Sequence, residues 1–394
     1  MGVLQKEVDG LKKLTSILSY ILVAAAAAMV TMSLNVRNAA QPVPKLTELA
    51  NLIEERFIGE TDRTAMEDAA AAAMVASLGD RWSYYIPAAD FAAHMEQMNN
   101  AYVGIGITIQ AAEDGTGYLV VKVNEGSSAQ EAGMLAGDVI VAAEGQNAGG
   151  MTSEELRNLV RGEENTTVQL TVRRDGKDIP LTVTRKQVLT VVAEGKMLED
   201  SIGLVTIVNF DARCADETIA AVEDLLAQGA KKLIFDVRNN PGGYAEEMVK
   251  VLDYLLPAGP LFRTVNYLGN EHVSESDADF LDLPMAVLVN ANSFSAAEFF
   301  AAALREYDAA IVLGEHTSGK GYFQNTLKLS DGSAVGLSVG KYNTPKGVNL
   351  EGVGLTPDVV VEVDDETFAA IYAGTLAPEL DPQLQAAIAA LKDR

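Results

Sequence analysis

The chain of 394 residues holds one cysteine, one tryptophan and three histidines, and its 30 basic residues are outnumbered by 55 acidic ones. A single thiol, Cys214, excludes an internal disulfide framework and a thiolate cluster for zinc. It stands in "NFDARCADETI" with no histidine beside it, which reads as a filler or helix-start residue rather than a nucleophile. The formal charge of −25 repels phosphate backbones and argues against nucleic acid as a partner. No metal site and no cofactor is expected. One stretch, "GEHTSGKG" at 314–321, approaches a phosphate-binding loop, but it lacks the serine or threonine that must come after the lysine. The next residues, "YFQNTLKLSDGSAVGLSVGKY", alternate like a hairpin instead of opening a helix whose N–H groups would hold phosphate.

Long apolar runs are equally scarce, with one exception. Leu14 to Val36 carries no charge and comes after Lys6, Lys12 and Lys13. As a helix it would span about 35 Å, enough for a hydrocarbon core of roughly 30 Å. The expectation is a cytoplasmic N-terminus at 1–13, an uncleaved transmembrane signal anchor at 14–36 and a body on the extracytoplasmic side of the cell membrane. The rest is ordinary globular sequence, 48% apolar and 22% charged, with room for two or three domains.

Along that body the texture changes twice. From 44 to 100 the pattern is helical, as in "LTELANLIEERF", "TAMEDAAAAAMVASLG" and "PAADFAAHMEQMN". From 101 to 188 short β-branched runs surround one helix, "TSEELRNLVRG". From 189 to 365 the strands "GLVTIVNF", "KKLIFDVR" and "MAVLVN" alternate with amphipathic helices near 215–228, 244–256 and 295–307, which predicts a layered α/β core. A helical region at 366–394, containing "DPQLQAAIAALK", closes the chain.

Two segments carry candidate chemistry. In "YVGIGITIQ" two glycines precede an extended run without a helix after it, so a dinucleotide loop is excluded. Successive N–H groups there can form a nest for a carboxylate, and the strand edge beside it can accept an added strand. Together with "LAGDVI" and the later helix, the stretch resembles a PDZ domain that captures protein C-termini. Tyr102, Val103, Gly104, Ile105, Gly106 and Ile107 would bind the peptide, with Ile105, Ile107, Leu156 and Val160 lining the pocket for its last side chain.

The second segment, "MAVLVNANSFSAAEFFAAALREY", reads as a buried strand, a tight turn and a helix starting near Ser295. That is how several unrelated hydrolases present a nucleophile, although Ser295-x-x-Glu298 is equally a capping box. None of His94, His272 and His316 stands beside an aspartate as a triad base would. Lys320, between two glycines, is an alternative base, provided burial lowers its pKa from about 10.4 to near 7–8. If the chain after Gly321 is extended, Gln324 shares a face with Lys320 and could orient the amine. In "FDVRNNPGG" a glycine turn ends a strand, and its N–H groups with that of Ala296 could stabilise an oxyanion.

From about residue 45 onward the chain resembles the carboxyl-terminal processing peptidases, or tail-specific proteases, serine endopeptidases of family S41. The resemblance rests on "LGDRWSYYIP", "DVRNNPGG", "NANSFSAAE", "GEHTSGKGYFQ" and "GVGLTPDVVV". It implies a crotonase- or ClpP-like α/β core with an inserted PDZ domain and flanking helices. It also implies Ser295 as nucleophile, Lys320 as base, Gln324 as its orienting group, Gly243 and Ala296 as oxyanion donors, and Arg161 as a regulatory residue. Phe294, Ala297 and Ser318 depart from the usual signature without removing any of these groups. The expected function is a PDZ-gated serine endopeptidase that recognises substrate C-termini and cleaves through an acyl-enzyme, possible as a homodimer. Two other classes compete: an inert PDZ scaffold at the membrane and a crotonase-like acyl-CoA enzyme.

Overall fold

The structure is a computed structural model and describes residues 45–392. The segments expected at 1–13 and 14–36 lie outside the described residues, and among the described residues no helix is long and apolar enough to cross a membrane. Residues up to Leu78 form one unit and those from Gly79 a second. In the first, helices Lys45–Arg56 and Arg63–Ala76 are joined by Arg63, which donates to Asn51 and Glu54 of the preceding helix at 2.9 and 3.0 Å. Asp62 caps the second helix by accepting from Ala65 N–H at 3.1 Å.

The centre of the second unit is a six-stranded sheet in the order Ala193–Met197, Ile202–Ile207, Lys232–Asp236, Met285–Val289, Ala310–Gly314, Val359–Val360. The first pair is antiparallel and the others are parallel. All five residues of Met285–Val289 are buried, as a central parallel strand covered on both faces requires. Helices Cys214–Ala227, Ala245–Leu255 and Ala296–Glu306 supply one cover and share one apolar cluster with the sheet. Helix Pro382–Lys392 supplies the other, setting Leu384, Ala387 and Leu391 against Ile202, Ile234, Ala286 and Leu288. The three crossover helices fall within one residue of the spans expected from the sequence, because each has an apolar face to bury.

A second sheet joins Gly259–Asn266, Glu271–Ser276, Tyr322–Lys328, Ala334–Asn343 and the early strand Tyr84–Ile86. Through this pairing the "LGDRWSYYIP" stretch reaches the lysine loop of the candidate site. The inserted domain is a six-stranded antiparallel sheet spanning Ile107–Thr184, closed by helix Ser153–Val160. Thr152 and Glu155 form a capping box at the helix start. The chain enters and leaves this domain through a ribbon, Ala101–Gly104 paired antiparallel with Lys186–Leu189.

The terminal helix is tied to the core by charge as well as by packing. The Arg238 guanidinium, with its side chain 5% exposed, binds Asp236 at 2.6 Å and Asp381 at 2.8 Å, and donates to Gln383 at 3.0 Å. Arg238→Ala leaves two buried carboxylates without their cation, so a loss of about 3–5 kcal/mol is expected in urea unfolding. An unchanged midpoint would show that the network adds nothing to the attachment.

Candidate active site

The strand Met285–Val289 runs into a turn that is stitched before it becomes a helix. Asn290 N–H donates to Ser293 Oγ at 3.0 Å, and Ser293 Oγ donates to the Val237 carbonyl at 2.8 Å. Phe294 N–H donates to the Asn240 carbonyl at 3.0 Å. Ser295, at the N-cap of Ala296–Glu306, has φ 50° and ψ −121°, a conformation that is strained for any side chain. It lies directly against the glycine turn: a Cβ on Gly242 would stand 2.8 Å from Ser295 Cβ, and one on Gly243 only 2.3 Å from the Phe210 carbonyl carbon. Only glycine allows both approaches. Among the described residues, neither Gly243 N–H nor Ala296 N–H has a hydrogen-bond acceptor. Ala296 is buried and Gly243 partly so, and a buried N–H group is rarely left without an acceptor. They are the two donors that an oxyanion beside Ser295 would need.

Glu298 binds this turn to the lysine loop. Its carboxylate, fully buried, accepts from Ser295 N–H at 2.9 Å, Lys320 N–H at 2.8 Å, Gly319 N–H at 2.8 Å and the Thr317 hydroxyl at 2.5 Å. Burial pushes its pKa up, and these four donors oppose that shift. The Ser-x-x-Glu pattern is therefore a cap from the glutamate's side and also a bridge between two distant loops. Sequence reading finds only the cap.

Lys320 is pushed below the ordinary lysine pKa by burial, against the opposing charges of Glu351, Asp80 and Glu298. Its Nζ stands 5.1 Å from the centre of the Trp82 ring. Trp82 is held in turn by Glu351, whose carboxylate accepts from the indole N–H at 2.9 Å and from Gly321 N–H at 2.8 Å. Arg81 donates to the Gly319 carbonyl at 2.9 Å while its guanidinium lies 4.1 Å from the Trp82 ring centre. Among the described residues no hydrogen bond joins Lys320 Nζ to Ser295 Oγ. Trp82, Arg81 and Glu351 are contributions that the sequence reading misses. Their motif is visible, but a separation of more than 200 residues hides its destination.

Gln324 does not bind Lys320. Its amide donates to the Tyr322 carbonyl at 3.2 Å and to Ser338 Oγ at 3.0 Å. The same-face expectation fails because Lys320 precedes the strand Tyr322–Lys328 and a bulge falls between Phe323 and Gln324. The histidines are not bases for Ser295. His316 is held by the Val353 carbonyl at 2.7 Å and Thr356 at 3.2 Å, His94 pairs with the Tyr84 ring, and His272 lies in a hairpin strand. Cys214 is buried, with its thiol pushed up to about 12 by burial, and is inert.

In the inserted domain Ile107–Ala111 is an edge strand, paired among the described residues only with Tyr118–Val123, the kind of edge that can accept an added strand. Ile105 and Leu156 are fully buried in the domain core and do not line an open pocket as expected, whereas Ile107 and Val160 remain partly exposed. Tyr102, Val103 and Gly104 belong to the ribbon, and Gly106, at φ 77°, turns the chain from it into the edge strand. Arg161 caps the helix end, lies 4.8 Å from the Tyr102 ring centre and reaches Glu96 at 3.6 Å.

These features set a strained serine at a strand–turn–helix junction of an α/β core that carries an inserted antiparallel-sheet domain. Comparison with known proteins agrees: the peptidase family S41 model matches residues 201–361 and the PDZ domain model residues 103–184. The carboxy-terminal processing protease CtpA of Bacillus subtilis is 32% identical over 324 residues, covering 82% of this chain and 69% of the relative. A probable CtpA-like serine protease of Staphylococcus aureus (strain COL) is 31% identical over 322 residues, which cover 81% of this chain and 64% of that protein. The fold is shared with a putative S41 protease from Bacteroides fragilis, with a TM-score of 0.53 at 16% identity over 90% of this chain and 98% of that one. The photosystem II D1 C-terminal processing protease aligns at 26% identity with a TM-score of 0.49, over 86% of this chain and 98% of its own. The chain belongs to peptidase family S41, the carboxyl-terminal processing serine proteases.

The two buried carboxyl groups of the site lend themselves to direct tests. Glu298→Gln replaces an acceptor with an N–H₂ facing N–H donors, displacing one loop from the other. Labelling of Ser295 by a fluorophosphonate should slow by about 10²-fold, the effect of a misplacement near 1 Å. A wild-type labelling rate would show that the carboxylate is dispensable. Asp211, 6% exposed beside Gly243, has the one buried side-chain oxygen without a partner among the described residues, and burial raises its pKa to about 7. The unfolded carboxyl ionises near 3.9, so its burial penalty is absent at low pH, grows as pH rises and is constant above about 7. The stability of Asp211→Asn relative to wild type should therefore increase by roughly 2–3 kcal/mol between about pH 5 and pH 8. A flat difference in thermal melts would mean that water reaches the carboxyl.

Proposed function

We propose that the chain is a PDZ-gated serine endopeptidase that captures the C-terminal tail of a protein substrate and cleaves by a Ser295–Lys320 mechanism. The observation that carries this reading is the joining, through one carboxylate, of a strained serine flanked by two acceptor-free N–H groups to a partly buried lysine of lowered pKa. In the proposed step Ser295 Oγ attacks the scissile carbonyl carbon while its proton passes to neutral Lys320 Nζ. The carbonyl oxygen, now negative, accepts from Gly243 and Ala296 N–H. The C–N bond breaks as Lys320 returns the proton to the leaving amine; water, deprotonated by the same lysine amine, then adds to the acyl carbon, the C–Oγ bond breaks, and Lys320 gives its proton back to Ser295 Oγ. Lys320 Nζ lies over the Trp82 ring and makes no hydrogen bond to Ser295 Oγ among the described residues, so proton transfer needs a shift of the amine, which gives tail capture a movement to control. Gln324 joins this set only if its amide is redirected. An anchor at 14–36 would hold the enzyme at the outer face of the membrane, and its substrates would be exported proteins.

The test uses a substrate with an unstructured tail. Ser295→Ala is expected to abolish turnover, and Lys320→Ala to lower kcat by about 10²–10⁴-fold, with binding of a C-terminal peptide retained in both. Because the free amine is the reactive form, kcat/KM should rise with pH to a plateau whose midpoint lies below the usual value of about 10.4 for lysine. Peptide binding without turnover in the wild type, and no fluorophosphonate label on Ser295, would favour the scaffold reading instead.

A further inference from the structure

The ribbon that carries the PDZ domain is rooted on a loop that also forms one wall of the candidate oxyanion turn. At the root, Thr190 donates to the Asn100 carbonyl from both N–H and Oγ, each at 2.9 Å. The Arg213 guanidinium grips both crossings: it donates to the carbonyls of Asn99 and Asn100 at 3.2 Å each and of Thr190 at 2.6 Å. Its Nε donates to Glu217 at 2.8 Å, and the other oxygen of Glu217 accepts from Val192 N–H on the outgoing chain, also at 2.8 Å. Asn100 and Asn209 exchange side-chain hydrogen bonds of 3.0 and 2.7 Å.

The same loop brackets Gly243. Phe210 N–H donates to the Gly242 carbonyl at 2.7 Å, and Tyr244 N–H donates to the Phe210 carbonyl at 2.8 Å. Phe210 itself is fully buried, with its ring 5.5 Å from Phe300 of the helix that Ser295 begins. The loop holds this position under tension. Arg213 has φ 75°, and the neighbouring Asp211 keeps a buried oxygen without a partner among the described residues. A loop that only connected two strands would be less strained with glycine at position 213, so the arginine is there for what its side chain grips.

Resting on the PDZ-gated reading above, we propose that Arg213 is a positioning residue that couples the root of the PDZ ribbon to the oxyanion turn. Displacement of the ribbon by a captured tail moves the Asn209–Arg213 loop, and with it Phe210 and the Gly243 N–H. The coupling needs no contact between the peptide and the catalytic residues. It needs the hydrogen bonds that tie Asn100 and Thr190 to Arg213 and Asn209, and the backbone that joins those two residues to Phe210.

The experiment uses the full chain and a peptide with a free C-terminal valine, with its C-terminal amide as control. Peptide affinity is read by fluorescence anisotropy, and hydrogen exchange is followed in the segment 240–246. In the wild type the free-acid peptide should alter exchange in that segment and the amide should not. Arg213→Gly suits the backbone angle and removes the grip. It should keep peptide affinity within about twofold while reducing the transmitted exchange change on the order of fivefold or more, and should lower kcat on a tailed substrate without raising KM. Arg213→Lys should restore part of the response. Asn209→Ala cuts the loop's other tie to Asn100, serves if the first variant fails to fold, and should also reduce the transmitted change. An exchange change transmitted equally in the variants overturns the proposal, as does loss of peptide affinity in Arg213→Gly. A wild type that binds the peptide with segment 240–246 unmoved overturns the coupling alone. A wild type that binds no peptide removes the PDZ-gated reading and the coupling with it.

Discussion

The Glu298 carboxylate is the interaction on which the candidate site depends. A buried carboxylate is costly unless it is fully hydrogen-bonded, and here four donors satisfy it, three of them backbone N–H groups. Two of those N–H groups belong to Ser295 and Lys320 themselves, so the bonds that offset its desolvation also set the distance between the two loops. The helix that begins at Ser295 adds to this, because an anionic group in its first turn faces the positive end of the helix dipole. Stability and alignment are therefore served by the same atoms.

Lys320 illustrates how charge and position are linked. Its place over Trp82, with Glu351 on the indole N–H, favours the ammonium through the ring face and the nearby carboxylate. Burial acts in the opposite direction and outweighs them. The contact over the indole is held mainly by charge. The neutral amine, the only form able to accept a proton, therefore has the weaker tie to Trp82 and the greater freedom to swing toward a hydroxyl. A lysine hydrogen-bonded to the carboxylate that holds the indole would lose that freedom.

Much of this is legible in the sequence, where local pattern and chemistry coincide. The apolar run to Asn290, the turn and the helix after Ser295 are a short-range signal, and the glycine turn after "FDVRNN" is another. The hidden part depends on contacts across long separations or on irregular backbone. Trp82 and Arg81 sit in a motif whose destination only the pairing of Tyr84–Ile86 with Ala334–Gly336 reveals. The period of two that links Lys320 to Gln324 applies only within an unbroken strand, and Lys320 lies outside it. For Ile105 and Leu156 the sequence is ambiguous, because an apolar side chain near a binding loop suits either the pocket or the core. Their burial decides for the core.

Backbone strain separates residues that are needed for their side chains from those needed only for their shape. Of the non-glycine residues at positive φ, Asn100, Asn165, Asp175, Asp200, Asn239 and Asp308 are of the types that tolerate the left-handed region. Glu144, Ser201, Arg213 and Ser295 have no such tolerance. Glu144 and Ser201 are exposed, where a turn can relax into water, while Arg213 is partly buried and Ser295 is buried. Two glycines, Gly242 and Gly243, lie between them in space and supply close approach without a side chain. The strain thus falls on one residue whose hydroxyl must face the glycine turn and one whose guanidinium must hold the ribbon. The loop from Asn209 to Arg213 carries the second of these residues and, at Phe210, brackets the glycine turn that faces the first.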